Sequence, residues 1–194
     1  MKQTAKNVQP LRSKEEIEEM KFALKRGGTG RKKSEAKAAR DVLLFLLGIN
    51  TGLRISDLLR LQVSHVRDRD FFYLIEKKTG KKREVNVRAL RSELGAYIAG
   101  KGADTYLFSS QKGGMPISTV QAYRILADAA AFVGRDDVGT HTLRKTFGYH
   151  YYKATKDVAM LQDIFNHSSP KETKLYIGIR QEEIRESLVG FRLG

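Results

Sequence analysis

His141 and Arg144 stand three residues apart in "HTLRKTFGYH", inside a stretch with helical patterning. At that spacing they share one face of a helix. An imidazole beside a guanidinium suits either a solvated surface or the holding of an anion. A second arginine, Arg54, follows Gly52 and Leu53 at a turn between two helical stretches. A guanidinium at a turn before a helix start also suits anion binding, although an ion pair with Asp57 or with a helix C-terminus is the structural alternative. Further basic residues cluster at Lys77, Lys78, Lys81, Lys82 and Arg83 around "KTGK", where a basic β-ribbon could follow a phosphate backbone or simply be a solvated turn. Near the end, "NHSSPKETKLY" places His167 nine residues before Tyr176. His150 lies nine residues past His141, roughly two and a half helical turns, and so falls on the opposite face. Tyr149, Tyr151 and Tyr152 read as packing residues.

The elements that must position these groups follow from the pattern. Residues 1–12 are polar and expected to be mobile. "SKEE" is a capping box with Ser13 as N-cap and Glu16 three residues on, opening a helix to about Arg26. After the Gly-rich loop "GGTGRKK", Ser34 is expected to cap a helix that runs to about Asn50. Its second half is apolar all round, which marks it as buried. Gly52 stops it, and Ser56 is expected to cap a short helix over "SDLLRL". The period then changes to that of strands in "FFYLIEKKTGKKREVNV", a hairpin over 71–87 with Gly80 at its turn. Helices return at about 91–99, 118–133, 140–153 and 157–166. Another starts at Ser169 with Pro170 in first position, and a last one covers about 181–189. The expected fold is α+β, mostly helical, with one small antiparallel hairpin.

Composition bounds the function. The chain has 194 residues, and 41% hydrophobic content is enough for a packed core, so global disorder is excluded. Thirty-six Lys and Arg against 22 Asp and Glu give a formal charge of +14, the footprint expected of a nucleic-acid binder, with a merely soluble basic protein as the alternative. With no cysteine, disulfides, thiolate metal sites and a thiol nucleophile are excluded, and a reducing cytoplasm is the expected setting. The longest apolar run, "VLLFLLGI", has eight residues, against ~20 for a membrane helix. No HExxH, G-x-S-x-G or P-loop pattern occurs.

The ordered set "TGLRISDLLRL", "KKTGKKREVNV", "HTLRKTF" and "NHSSPKETKLYIGI" resembles the tyrosine recombinase (phage integrase) family over nearly the whole chain from about Pro10. The resemblance implies Arg54 and Arg144 as phosphate-clamping arginines, and Lys78 as the catalytic lysine with Lys77 as its alternative. It implies His141 and His167 as the histidine positions and Tyr176 as the nucleophile. Asn166 stands where the family commonly has glycine, a residue type that tolerates the left-handed conformation. The resemblance further implies double-stranded DNA as substrate, a nucleoid-associated setting, and a homo-multimer, a tetramer, on DNA. The chemistry asks for no cofactor and no metal, because two arginines supply the positive charge. Only twelve residues precede Ser13, so the chain is expected to comprise a lead-in, 1–12, and a catalytic domain, 13–194. The family's usual N-terminal DNA-clamping domain is then absent, and an accessory DNA-bending or clamp protein is a possible partner. Two alternatives share the features: a nick-and-reseal activity of the type IB topoisomerase kind, and a non-catalytic DNA-binding partner or inhibitor of a recombinase.

Overall fold

A computed structural model describes residues 8–30, 33–110 and 114–192. The helices are α1 (Lys14–Arg26), α2 (Glu35–Thr51), α3 (Ile55–Leu58), α4 (Val63–Val66), α5 (Arg91–Ile98), α6 (Thr119–Phe132), α7 (Thr140–Thr155), α8 (Val158–Phe165), α9 (Pro170–Tyr176) and α10 (Arg180–Leu188). Strands β1 (Phe71–Ile75) and β2 (Lys82–Asn86) lie between α4 and α5 and pair antiparallel, Phe71 opposite Asn86 and Ile75 opposite Lys82. This is the expected mostly helical architecture with one small hairpin.

Local sequence explains most boundaries. Ser13 and Glu16 form the capping box. Ser118, Asp157 and Ser169 each accept a backbone N–H in the first turn of the helix they start, satisfying donors that a helix start leaves open. Two expectations change. Ser34 is the N-cap of α2 but makes no side-chain cap bond. Ser56 is not a cap: the N-cap of α3 is Arg54, two residues earlier, whose carbonyl accepts from the backbone N–H groups of Asp57 and Leu58. The short α4 was not expected from the pattern; at four residues it is too brief to show a period.

The main core collects Phe45, Phe72, Phe108, Leu24, Leu44, Leu47 and Leu58, all fully or nearly fully buried. A second cluster forms under the C-terminal third from Tyr149, Tyr152, Leu161, Phe165, Ile177 and Ile179. Tyr149 and Tyr152 are thus packing residues, as their placement on α7 suggests. The lead-in expected to be mobile meets the fold at residues 8–12: Leu11 is fully buried, its N–H donates to Thr146 at 2.9 Å, and its carbonyl lies 3.0 Å from His150 Nε2. Residues 1–7 lie outside the described residues.

Candidate active site

Arg54 ends the turn made by Gly52, whose φ of +60° is the left-handed conformation that costs glycine least. A Cβ there would also fall 2.5 Å from the Phe147 ring. The turn aims Arg54 across the molecule. Its Nη1 donates to Glu76 Oε2 at 2.7 Å and its Nη2 reaches the Phe165 carbonyl at 3.4 Å. The pairing with Asp57 does not form; the Asp57 carboxylate instead accepts the Lys77 backbone N–H at 2.8 Å.

Arg144, 3% exposed, donates through Nη2 to the same Phe165 carbonyl at 2.9 Å and through Nη1 to the Gly52 carbonyl at 2.5 Å. The guanidinium also lies 4.1 Å over the Phe165 ring. Both acceptors sit at helix C-termini, those of α2 and α8, where the helix dipole favours a cation. The two arginines therefore meet at one carbonyl, though 90 positions separate them in the chain. Burial, reinforced by the charges of Arg54 and Arg83, pulls the Arg144 pKa down to about 10. The group stays charged at neutral pH.

Tyr176, the last residue of α9, is half-buried. Its Oη lies 3.1 Å from His141 Nδ1, and its ring meets His167 edge-on, 5.1 Å between centroids. Burial pushes its phenol pKa up against the opposing pull of Arg144 and Arg54. Burial, followed by the charges of Lys145, Arg144, Lys78 and Arg54, lowers the His141 pKa, which favours the neutral ring; in the tautomer with its proton on Nε2, Nδ1 accepts from the Tyr176 hydroxyl.

His167 follows Asn166, which caps α8 at φ +52°, the left-handed geometry expected at that position. Its Nδ1 lies 3.1 Å from Thr173 Oγ1, and the Thr173 hydroxyl donates to the Ser169 carbonyl at 3.2 Å. With that proton committed, the network assigns the N–H of His167 to Nδ1. Burial lowers the His167 pKa; Glu172 opposes this, while Arg144, Arg54 and Lys78 add to it.

Lys78 lies exposed in the loop that joins β1 to β2, and its charge bears on both histidines. The structure thus draws Arg54, His141, Arg144, His167 and Tyr176 into one cluster, and Lys78 stays exposed on the β1–β2 loop. Among the described residues there is no group of His, Asp and Glu suited to a metal ion, and no helix long and apolar enough to cross a membrane.

Similarity to known proteins gives the family. The model of the phage integrase family matches residues 13–183. The chain belongs to that family. The probable integrase/recombinase YoeC of Bacillus subtilis is 48% identical over 179 residues, which cover 92% of this chain and 93% of YoeC. The tyrosine recombinase XerD of Corynebacterium glutamicum is 32% identical over 155 residues, covering 76% of this chain and 51% of XerD. The chain therefore spans nearly all of YoeC but about half of that recombinase. In fold it resembles the XerH site-specific recombinase bound to palindromic difH substrate in a post-cleavage complex, with a TM-score of 0.71 at 23% identity over 92% of this chain and 51% of that one. The XerA recombinase gives 0.69 at 21% identity, over 100% and 67%.

Several residues of this cluster escaped the sequence reading. Glu76, fully buried, holds Arg54. The Phe165 carbonyl and ring receive both arginines, and Thr173 orients His167. Lys145 lies over the Tyr176 ring, 5.3 Å from its centroid. A signal existed for Glu76: inward-facing Phe72 and Leu74 set an alternation along β1 that carries position 76 inward as well, and a charge there needs a partner.

Proposed function

We propose that the chain is the catalytic domain of a site-specific DNA recombinase that cleaves and rejoins strands through Tyr176. The observation that carries this reading is the placement of Tyr176 Oη 3.1 Å from His141 Nδ1, beside two arginines that share one carbonyl. Arg54 and Arg144 grip the non-bridging oxygens of one phosphodiester, where negative charge grows in the transition state. Tyr176 Oη attacks phosphorus. Its O–P bond forms as the P–O5′ bond breaks, its proton passes to His141 Nδ1, and the Lys78 ammonium protonates the departing 5′ oxygen. The resulting 3′-phosphotyrosine keeps a phosphoester bond, and a second 5′ hydroxyl reverses the step to reseal the strand. Lys78 is assigned ahead of Lys77 on the family resemblance of the "KTG" stretch, and its neighbour Thr79 is tied to Glu76, the partner of Arg54.

The same reading takes double-stranded DNA as substrate, supported by the +14 charge, and a multimer as the working form. Support for the multimer comes from α10. It docks on its own domain through acidic residues, Glu182 to Arg12 and Lys153, and Glu183 to Lys174. Ile184, Leu188, Val189 and Phe191 remain exposed. A purely DNA-binding module has no use for a phenol hydrogen-bonded to a neutral imidazole beside an arginine pair.

The test is covalent capture on a nicked suicide duplex, selected from a randomised pool by its attachment to the wild-type chain. The wild type should give an adduct stable on a denaturing gel. Tyr176→Phe should give none, while retaining DNA binding, since one hydroxyl is lost and the ring remains. An adduct with Tyr176→Phe would assign the nucleophile elsewhere and sink the reading.

A further inference from the structure

We propose that Glu76 is a positioning residue that holds Arg54, the Lys78 loop and the Asn166–His167 turn in fixed register, a role that rests on the strand-cleavage reading above. Glu76 is fully buried and stands where β1 passes into the loop over residues 76–81. One of its oxygens, Oε2, accepts three bonds from three parts of the chain. Arg54 Nη1 donates at 2.7 Å, the Thr79 hydroxyl at 2.8 Å and Asn166 Nδ2 at 3.3 Å. Thr79 is next to Lys78, and Asn166 is next to His167. A single carboxylate oxygen therefore touches one phosphate-gripping arginine directly and the immediate neighbours of two other reacting groups. The loop is further closed on Glu76 by its backbone: the Gly80 N–H donates to the Glu76 carbonyl at 2.9 Å, and the Glu76 N–H to that of Lys81 at 3.0 Å.

The charge of Glu76 matters as well as its shape. Arg54, Arg83 and Arg144 crowd one another, and each like charge opposes its neighbours. Glu76 lies between two of them, with Oε1 facing Arg83 Nη1 at 3.6 Å and making no hydrogen bond. Burial alone would raise its carboxyl pKa, but the Thr79 hydroxyl and the guanidiniums of Arg54 and Arg83 outweigh it, and the group stays ionised. A carboxylate on Nη1 fixes the plane of the Arg54 guanidinium. The Nη2 edge keeps only the long 3.4 Å contact to Phe165, which a phosphate oxygen can replace.

The experiment compares adduct rates on two forms of the selected suicide duplex: the ordinary phosphodiester, and a bridging 5′-phosphorothiolate whose sulfur leaves without needing a proton from Lys78. Glu76→Gln keeps the shape and removes the charge. It should slow the phosphodiester reaction by about 100-fold, the scale of a small misplacement of reacting groups. It should also raise the ratio of phosphorothiolate to phosphodiester rate, while the phosphorothiolate rate itself stays below wild type because Arg54 is loosened. Thr79→Val cuts only the loop tether, so it should raise the ratio and leave the phosphorothiolate rate near wild type. General loss of structure lowers both rates together and leaves the ratio unchanged. If Glu76→Gln does not fold, Thr79→Val decides alone. An unchanged ratio in Thr79→Val, or wild-type rates in a folded Glu76→Gln, overturns the positioning role and leaves the strand-cleavage reading standing. A wild-type chain that forms no adduct at all overturns both.

Discussion

Arg144→Ala should unfold the protein more easily as well as silence it. In the structure Arg144 donates to the Gly52 carbonyl at 2.5 Å and the Phe165 carbonyl at 2.9 Å, which joins the ends of α2 and α8. Each carbonyl keeps a longer second donor: Arg83 reaches Gly52 at 3.5 Å and Arg54 reaches Phe165 at 3.4 Å. Neither acceptor is therefore fully orphaned, and the loss is near ~1 kcal/mol for each bond rather than the larger cost of an isolated buried group. Lost packing on the Phe165 ring adds to this, and relief of repulsion from Arg54 and Arg83 subtracts. A net loss of about 2 kcal/mol corresponds to a fall in Tm of about 4–8 °C for a chain of this size. Arg144→Lys should recover most of the stability by giving one ammonium to these carbonyls. It should recover little of the adduct rate, since an ammonium cannot grip two phosphate oxygens in one plane. Thermal unfolding by circular dichroism, run beside suicide-DNA capture, separates the two effects. A Tm for Arg144→Ala within about 1 °C of wild type would show that these bonds contribute little. Wild-type adduct rates in Arg144→Lys would remove Arg144 from the phosphate grip.

The histidines and the exposed C-terminal face give three further expected outcomes. Both histidine pKa values lie below 6.5, mainly through burial, so adduct formation should stay flat from neutral pH down to 6.5 and fall only beneath it, as His141 gains a proton and can no longer accept one from Tyr176. Stability should move in the same direction: between the folded values and 6.5 the unfolded chain binds more protons, so stability is complete above 6.5 and declines as pH falls below it; an inflection in the rate above pH 6.5 counts against His141 as the acceptor. Replacing Leu188 and Phe191 with serine should reduce the protomers cross-linked on one DNA without changing the domain's Tm, and a double variant that assembles as the wild type does would rule this face out of the interface.

Much of the site was legible because its chemistry depends on residue type and order. Arg54, His141, Arg144, His167 and Tyr176 stood out together only through the ordered motifs that carry the family resemblance; by spacing alone Arg54 and the His141–Arg144 pair read equally well as structural charges, and nothing local marked Tyr176. The helices were legible where a cap marks them, as at Ser13, Ser118, Asp157 and Ser169. What the sequence conceals is which distant groups close on which. Asp57, three residues past Arg54, is the natural partner by proximity, yet Arg54 reaches 22 residues on to Glu76. That choice is made by the hairpin packing against the turn at Gly52. Ser56 misled for a similar reason: the Arg54 carbonyl, two residues earlier, already closed the first turn, and a side-chain cap was not required.

The arrangement of the arginines explains why so much of the site lies outside the residues that react. Guanidiniums packed this closely repel one another, and burial penalises their charge. The fold counters both effects with backbone carbonyls that end α2 and α8, and with the carboxylates of Glu76 and, for Arg83, Asp57. These acceptors belong to Thr51, Gly52 and Phe165, whose side-chain types say nothing of acceptor capacity. Phe165 holds the cluster twice, through its carbonyl and through a ring that lies under Arg144 and meets Tyr176 at 5.7 Å. The close approach of α7 is what keeps that ring in place, since a Cβ on Gly148 would sit 2.8 Å from it. In the strand-cleavage reading proposed above, a phosphate entering between Arg54 and Arg144 would find the positive charge already gathered by these carbonyls and by Glu76.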